Sequence, residues 1–144
     1  VYKRQYRYSC RKRRTFKRKV VGVSNLKSLG TSGAKYEGLE VFDAPAGVQR
    51  VTLETDECCA ICPVTSQPDW YTIRIEYTPT TKCVESKTFK LYIQSFKNSG
   101  LFCEQFAEKL ATDISQAVET EVSATVIQKP RGGVSIVATA TVGG

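Results

Sequence analysis

The hydrophobic pattern of this chain changes period twice. Residues 48–56 (VQRVTLETD) alternate, with Val48, Arg50 and Thr52 on one side and Gln49, Val51 and Leu53 on the other, which is the period of a strand. Residues 57–69 hold a cysteine cluster and two prolines and read as a loop. Residues 70–78 alternate cleanly, Tyr71, Ile73, Ile75 and Tyr77 against Thr72, Arg74 and Glu76, a half-buried strand that Pro79 ends. From Val84 the period lengthens. Phe89, Tyr92, Ile93 and Phe96 fall at i, i+3, i+4 and i+7 of an amphipathic helix that Asn98 and Gly100 stop. Phe102, Phe106, Leu110 and Ile114 recur every four residues, a second helix running to about Val118. Alternation then returns over residues 119–129 (Val122, Ala124, Val126 inward). Pro130-Arg131-Gly132-Gly133 reads as a turn, and Val134, Ile136, Ala138, Ala140 and Val142 as a last strand.

The predicted order is β-β-α-α-β-β, an α+β class with an antiparallel four-stranded sheet carrying two helices on one face. Such a sheet has two open edges, which other copies of the chain can pair, so self-association into a ring is expected. Residues 21–48, rich in Gly, Ser, Ala and Lys, read as an irregular lead-in.

Charge divides the chain. Of its 21 Lys and Arg, ten lie in residues 1–20, which hold no acid; the rest has eleven bases against fourteen acids, a net of −3. The expectation is a basic N-terminal arm (1–20) outside the folded unit and a single domain over 21–144. The arm can bind nucleic acid by charge, although a solvated tail is the reading preferred, since no nucleic-acid module accompanies it. No run of about eighteen apolar residues indicates a membrane span, and no apolar stretch follows the basic start to make a secretory signal. With six cysteines and no such signal, a reducing cytoplasm is expected.

The absence of histidine excludes Ser-His-Asp and Cys-His catalysis and every His-ligated metal site. The cysteine loop is the most informative segment: Cys58, Cys59 and Cys62 fall within five residues, and Asp69 follows Cys62 by seven. A thiolate can add to an electrophilic carbon such as a nitrile, and a neighbouring carboxylic acid can protonate the nitrogen that gains charge. Two other readings stand beside this one. Cys59-x-x-Cys62 with Cys83 and Cys103 makes a four-thiolate zinc set, weakened because the second half is not a spaced pair, so no metal is expected. Cys58, Cys59, Cys10 and Cys83 are taken as small buried apolar residues.

Cys62-Pro63-Val64-Thr65-Ser66-Gln67-Pro68-Asp69-Trp70 resembles the active-site loop of NADPH-dependent 7-cyano-7-deazaguanine reductases, and Glu85-Ser86-Lys87-Thr88-Phe89-Lys90-Leu91-Tyr92 resembles that family's hallmark run. Ser95-Phe96-Lys97-Asn98, Pro130-Arg131-Gly132-Gly133-Val134-Ser135-Ile136 and Leu29-Gly30 are similar to further family segments, so the likeness spans roughly residues 28–137. The resemblance implies the tunnelling fold, an NADPH-dependent reduction of the nitrile of 7-cyano-7-deazaguanine for queuosine synthesis, and a ring of two stacked pentamers with sites at subunit contacts. It implies Cys62 as the nucleophile forming a thioimide and Asp69 as proton donor. Val84, Glu85, Ser86, Cys103 and Glu104 become the substrate contacts, and Lys87, Lys90 and Arg131 the contacts to NADPH phosphates. No G-x-G-x-x-G run is present, so the dinucleotide is not held in the Rossmann manner.

Two positions depart from the family pattern. Thr88 stands where Ser or Ala is usual, and Cys103-Glu104 where the family has His-Glu. A disulfide between Cys103 and Cys62 that switches the enzyme off is a corresponding expectation. The alternatives carried forward are an amidine-forming relative acting on a deazaguanine nitrile in tRNA, and a non-catalytic nucleic-acid-binding module using the arm.

Overall fold

The computed structural model describes residues 26–29 and 32–143; the basic arm, Cys10 and Gly30 lie outside them. In chain order the elements are β1 (Val41–Asp43), β2 (Val51–Ile61), β3 (Pro68–Tyr77), β4 (Lys82–Val84), α1 (Ser86–Ser95), a 3-10 turn (Phe96–Asn98), α2 (Cys103–Val118), β5 (Val122–Arg131) and β6 (Val134–Val142). The main sheet is antiparallel, ordered β2-β3-β5-β6, and β1 pairs with β4 in a separate two-stranded ribbon. The α+β architecture read from the hydrophobic periods is therefore the one found.

Several boundaries differ. The cysteine segment is mostly strand: β2 continues to Ile61 and β3 begins at Pro68, so the loop is only 62–67. Proline is tolerated there because it opens a strand. The β1–β4 ribbon crosses a stretch expected to be irregular; three-residue strands are too short to leave a period. β5 runs through Pro130 and Arg131, leaving Gly132 and Gly133, both at positive φ, as the turn.

Both long-range irregularities of the sheet sit at the same end. Between Thr55 and Cys58 the pairing of β2 with β3 slips by one residue, and between Gln128 and Arg131 that of β5 with β6 does the same. A bulge inserts one residue and so exchanges the faces of everything beyond it. Val51, Leu53 and Thr55 turn inward before the first bulge; Cys58, Ala60 and Cys62 do so after it. Val122, Ala124, Val126 and Gln128 turn inward on β5, and the second bulge brings round Arg131 in place of Pro130. The same parity change places Cys59 half-exposed on the other face, correcting its expected burial, while Cys58 and Cys83 are buried.

The core lies between the sheet and α2, which packs on β5 and β6. Phe106, Leu110, Ile114 and Val118 of α2 meet Tyr71, Ile73 and Ile75 of β3 and Val122, Ala124 and Val126 of β5, all fully buried. Each large side chain removed from water contributes about 1.5–3 kcal/mol. Phe106 packs 5.4 Å from Tyr71, edge on, and 4.8 Å from Phe96. α1 is started by Glu85, whose carboxylate accepts from Lys87 N–H and Thr88 N–H, both at 2.8 Å. It is tied to α2 by Tyr92 Oη donating to Asp113 at 2.7 Å.

Candidate active site

Residues 62–67 form a tight loop whose ends are clamped. Cys62 N–H donates to Gln67 O at 2.8 Å, and Ser66, at φ 57°, donates its N–H to Cys62 O at 2.9 Å. Ile61 pairs with the segment before α2, donating to Ser99 O at 2.9 Å. The loop therefore has little freedom, and its curl points amides and a hydroxyl at the Cys62 sulfur. Hydrogen bonds from the Thr65 hydroxyl, then from the Thr65 and Val64 N–H groups, then from Arg131, pull the thiol down to about 7. Desolvation pushes the other way and is the weakest influence, because a thin loop rather than deep packing shields the sulfur. Donors converging on one atom stabilise its anion.

Asp69 opens the inward face of β3 and is 2% exposed. Arg131 reaches both groups: Nη2 lies 3.7 Å from Cys62 Sγ and Nη1 lies 2.9 Å from Asp69 Oδ1. The second contact is ionic only, for no N–H is aimed at that oxygen, and Asp69 Oδ1 and Tyr71 Oη are the two buried side-chain oxygens without a hydrogen bond among the described residues. These residues border a cleft of about 300 Å³ lined further by Leu101, Phe102, Cys103, Glu104, Gln128 and Ile136.

Four expected site residues thus meet at one cleft with Arg131: Cys62, Asp69, Cys103 and Glu104. Glu104 is exposed in the first turn of α2. Cys103 is buried, and its thiol is held up by burial while donating to the Val126 and Ile136 carbonyls at 3.5 and 3.9 Å. Both Cys62 and Cys103 are free thiols. Among the described residues no three His, Cys, Asp or Glu side chains gather closely enough to hold a metal ion.

Val84, Glu85, Ser86, Lys87 and Lys90 lie elsewhere in the chain. Val84 and Glu85 are buried at the β4–α1 junction, Val84 N–H donating to Tyr77 Oη at 3.0 Å. Ser86 and Lys90 border a second groove, about 260 Å³, between β2 and α1, floored by Leu53, Phe89 and Ile93. Its rim carries the Lys90 cation together with the carboxylates of Glu54 and Glu57. Arg131, expected with these lysines, is on the other cleft.

Phe102 and Thr65 went unsingled in the sequence. Phe102 is half-exposed on the Cys62 cleft; its i+4 relation to Phe106 made it read as core. Thr65 had only its place in the loop as a signal.

An antiparallel sheet of this order with two helices, carrying a thiol, a carboxylate and a guanidinium at one end, has the architecture of the tunnelling fold. The model of the family described as QueF-like protein matches residues 68–143. The NADPH-dependent 7-cyano-7-deazaguanine reductase of Frankia casuarinae is 36% identical over 118 residues, 81% of this chain and 94% of that protein. The protein of the same name from Rhodopirellula baltica is 41% identical over 101 residues, 67% of this chain and 83% of that one. The crystal structure of the apo archaeosine synthase QueF-Like superposes with a TM-score of 0.63 at 25% identity, covering 70% of this chain and 97% of that chain. The chain belongs to the QueF-like family.

Proposed function

We propose that this chain reduces the nitrile of 7-cyano-7-deazaguanine to an aminomethyl group with NADPH, the reaction that serves queuosine biosynthesis. The observation that carries the reading is the Cys62 sulfur: its ionisation is lowered to about 7, it borders a cleft, and a buried carboxylate stands beside the guanidinium that reaches it.

The chemistry follows from those groups. Asp69 takes the thiol proton, the Cys62 thiolate adds to the nitrile carbon, and Asp69 returns the proton to the nitrogen, giving a thioimide. The orphaned Oδ1 is suited to meeting that nitrogen, since it has no hydrogen bond to give up. Two NADPH molecules, bound one after the other, would each supply one hydride, the first before and the second after Cys62 leaves as thiolate. Glu104, exposed on the cleft, accepts from the adjacent N1–H and amine of a guanine-like edge. The half-exposed Phe102 ring offers an apolar face to the planar base.

Lys87 and Lys90 would hold the NADPH phosphates. Within one chain they are on α1, away from the Cys62 cleft. The reading therefore includes a ring in which α1 of one copy borders the Cys62 cleft of the next, β2 and β6 edges pairing between copies. A cytoplasmic location accompanies it, since the free thiols need a reducing compartment. Residues 1–20 are read as an arm outside the domain.

The test mixes protein, NADPH and 7-cyano-7-deazaguanine and follows absorbance at the NADPH wavelength. Two NADPH consumed per nitrile are expected, and none with Cys62→Ala. Likeness to an archaeosine synthase, with Cys103 in the usual histidine place, supports a second reading: amidine formation on a nitrile in tRNA. A Cys62 adduct that forms while NADPH is untouched would select it.

A further inference from the structure

We infer that Arg131 is a positioning residue for the nucleophile and the acid: its guanidinium spans the two groups and sets the charge of the site before any ligand binds. This rests on the reading of Cys62 as nucleophile and Asp69 as acid.

Three elements converge to make the arrangement. Cys62 comes from the clamped loop after β2, Asp69 from the start of β3, and Arg131 from the end of β5 just past its bulge. Without that bulge the inward position would fall to Pro130, which has no cation. The guanidinium is planar, permanently charged, and presents N–H groups on more than one side. Here Nη2 is 3.7 Å from the sulfur and Nη1 is 2.9 Å from the carboxylate, so two of its nitrogens already serve anions.

The consequence is electrostatic. A thiolate and a buried carboxylate bordering one cleft repel each other, and a cation between them relieves this. Among the described residues the other titratable groups facing the sulfur supply no second cation: Tyr71 lies below on β3, and Cys103 and Glu104 line the cleft from α2. Proton balance is kept in the addition step: Asp69 takes one proton, from the Cys62 thiol where that is still protonated and from water where it is already ionised, and passes it to the nitrile nitrogen while a C–S bond forms and one C–N π bond breaks. As the sulfur becomes neutral the guanidinium loses one of its two anions and keeps the carboxylate's orientation.

The experiment is alkylation of the full-length protein by iodoacetamide from pH 5.5 to 9.5 without substrate, read on the Cys62 peptide by mass spectrometry. Wild type is compared with Arg131→Gln and Arg131→Lys. The wild-type midpoint is expected near 7. Arg131→Gln should shift it upward and slow alkylation at pH 6.5 by roughly three- to tenfold, because thiolate falls tenfold for each pH step below the midpoint. Arg131→Lys should recover part of that loss, a point charge replacing a fork. If Arg131→Gln fails to fold, the lysine variant decides alone, by showing a midpoint between 7 and the ordinary thiol range. Unchanged profiles in the folded variants overturn the inference, the more so if the Michaelis constant for NADPH rises instead. An Arg131-dependent profile in a protein that oxidises no NADPH would leave it standing while removing the reductase reading.

Discussion

Replacing Glu85 tests whether its carboxylate is built into the fold or reserved for substrate. It is buried, and its two oxygens accept from Lys87 N–H and Thr88 N–H at 2.8 Å each, satisfying two of the amides that open α1. Glu85→Ala strands both. Loss of an N-cap acceptor costs about 0.5–2 kcal/mol, and loss of a negative charge at a helix N-terminus adds about 0.3–1 kcal/mol. The sum, about 1–3 kcal/mol, lowers the melting temperature by roughly 2–12 °C in a chain of this size. Glu85→Gln keeps one acceptor and loses the charge, so about half that drop is expected. Melting should be followed by far-ultraviolet circular dichroism at one fixed protein concentration, because assembly makes the midpoint concentration-dependent. An unchanged melting temperature with a raised Michaelis constant for substrate would refute the capping argument and return Glu85 to the ligand.

Four further outcomes are expected. The rate at low substrate should fall tenfold per pH step below about 7 as Cys62 takes up its proton. Because that thiol is depressed in the folded state, its contribution to stability is full above the unfolded thiol's range near 8.5 and is lost as pH falls through 7, which a melting series from pH 6 to 9.5 checks. Phe106→Ala, at a fully buried site between Tyr71 and Phe96, should cost about 3–5 kcal/mol by urea titration. Tyr71→Phe removes a buried hydroxyl that has no hydrogen bond and should be neutral or stabilising by up to about 1 kcal/mol; a clear loss would reveal a partner to that oxygen.

Much of this protein is written in local patterns. The alternation of β3, the four-residue spacing of Phe106, Leu110, Ile114 and Val118, and the glycine pair before β6 are each legible without neighbours, because strand pleat and helix pitch impose their periods on the segment itself. So is the candidate chemistry, since a chain without histidine leaves its thiols and carboxylates to do nucleophilic and acid work, and the Cys62–Asp69 run resembles a known loop. What the tertiary structure decided is which face those residues occupy. Whether β2 slips at Asp56 and Glu57, or β5 at Lys129 and Pro130, depends on pairing with a second strand, and no local period contains it. Those two slips turn Cys62 and Arg131 inward and Cys59 away. Likewise only the packed chain shows Glu85 spent on capping its helix and Arg131 standing at the sulfur. Contacts between segments distant in sequence arise from the shape of the whole, so a one-dimensional pattern carries the parts but not their meeting.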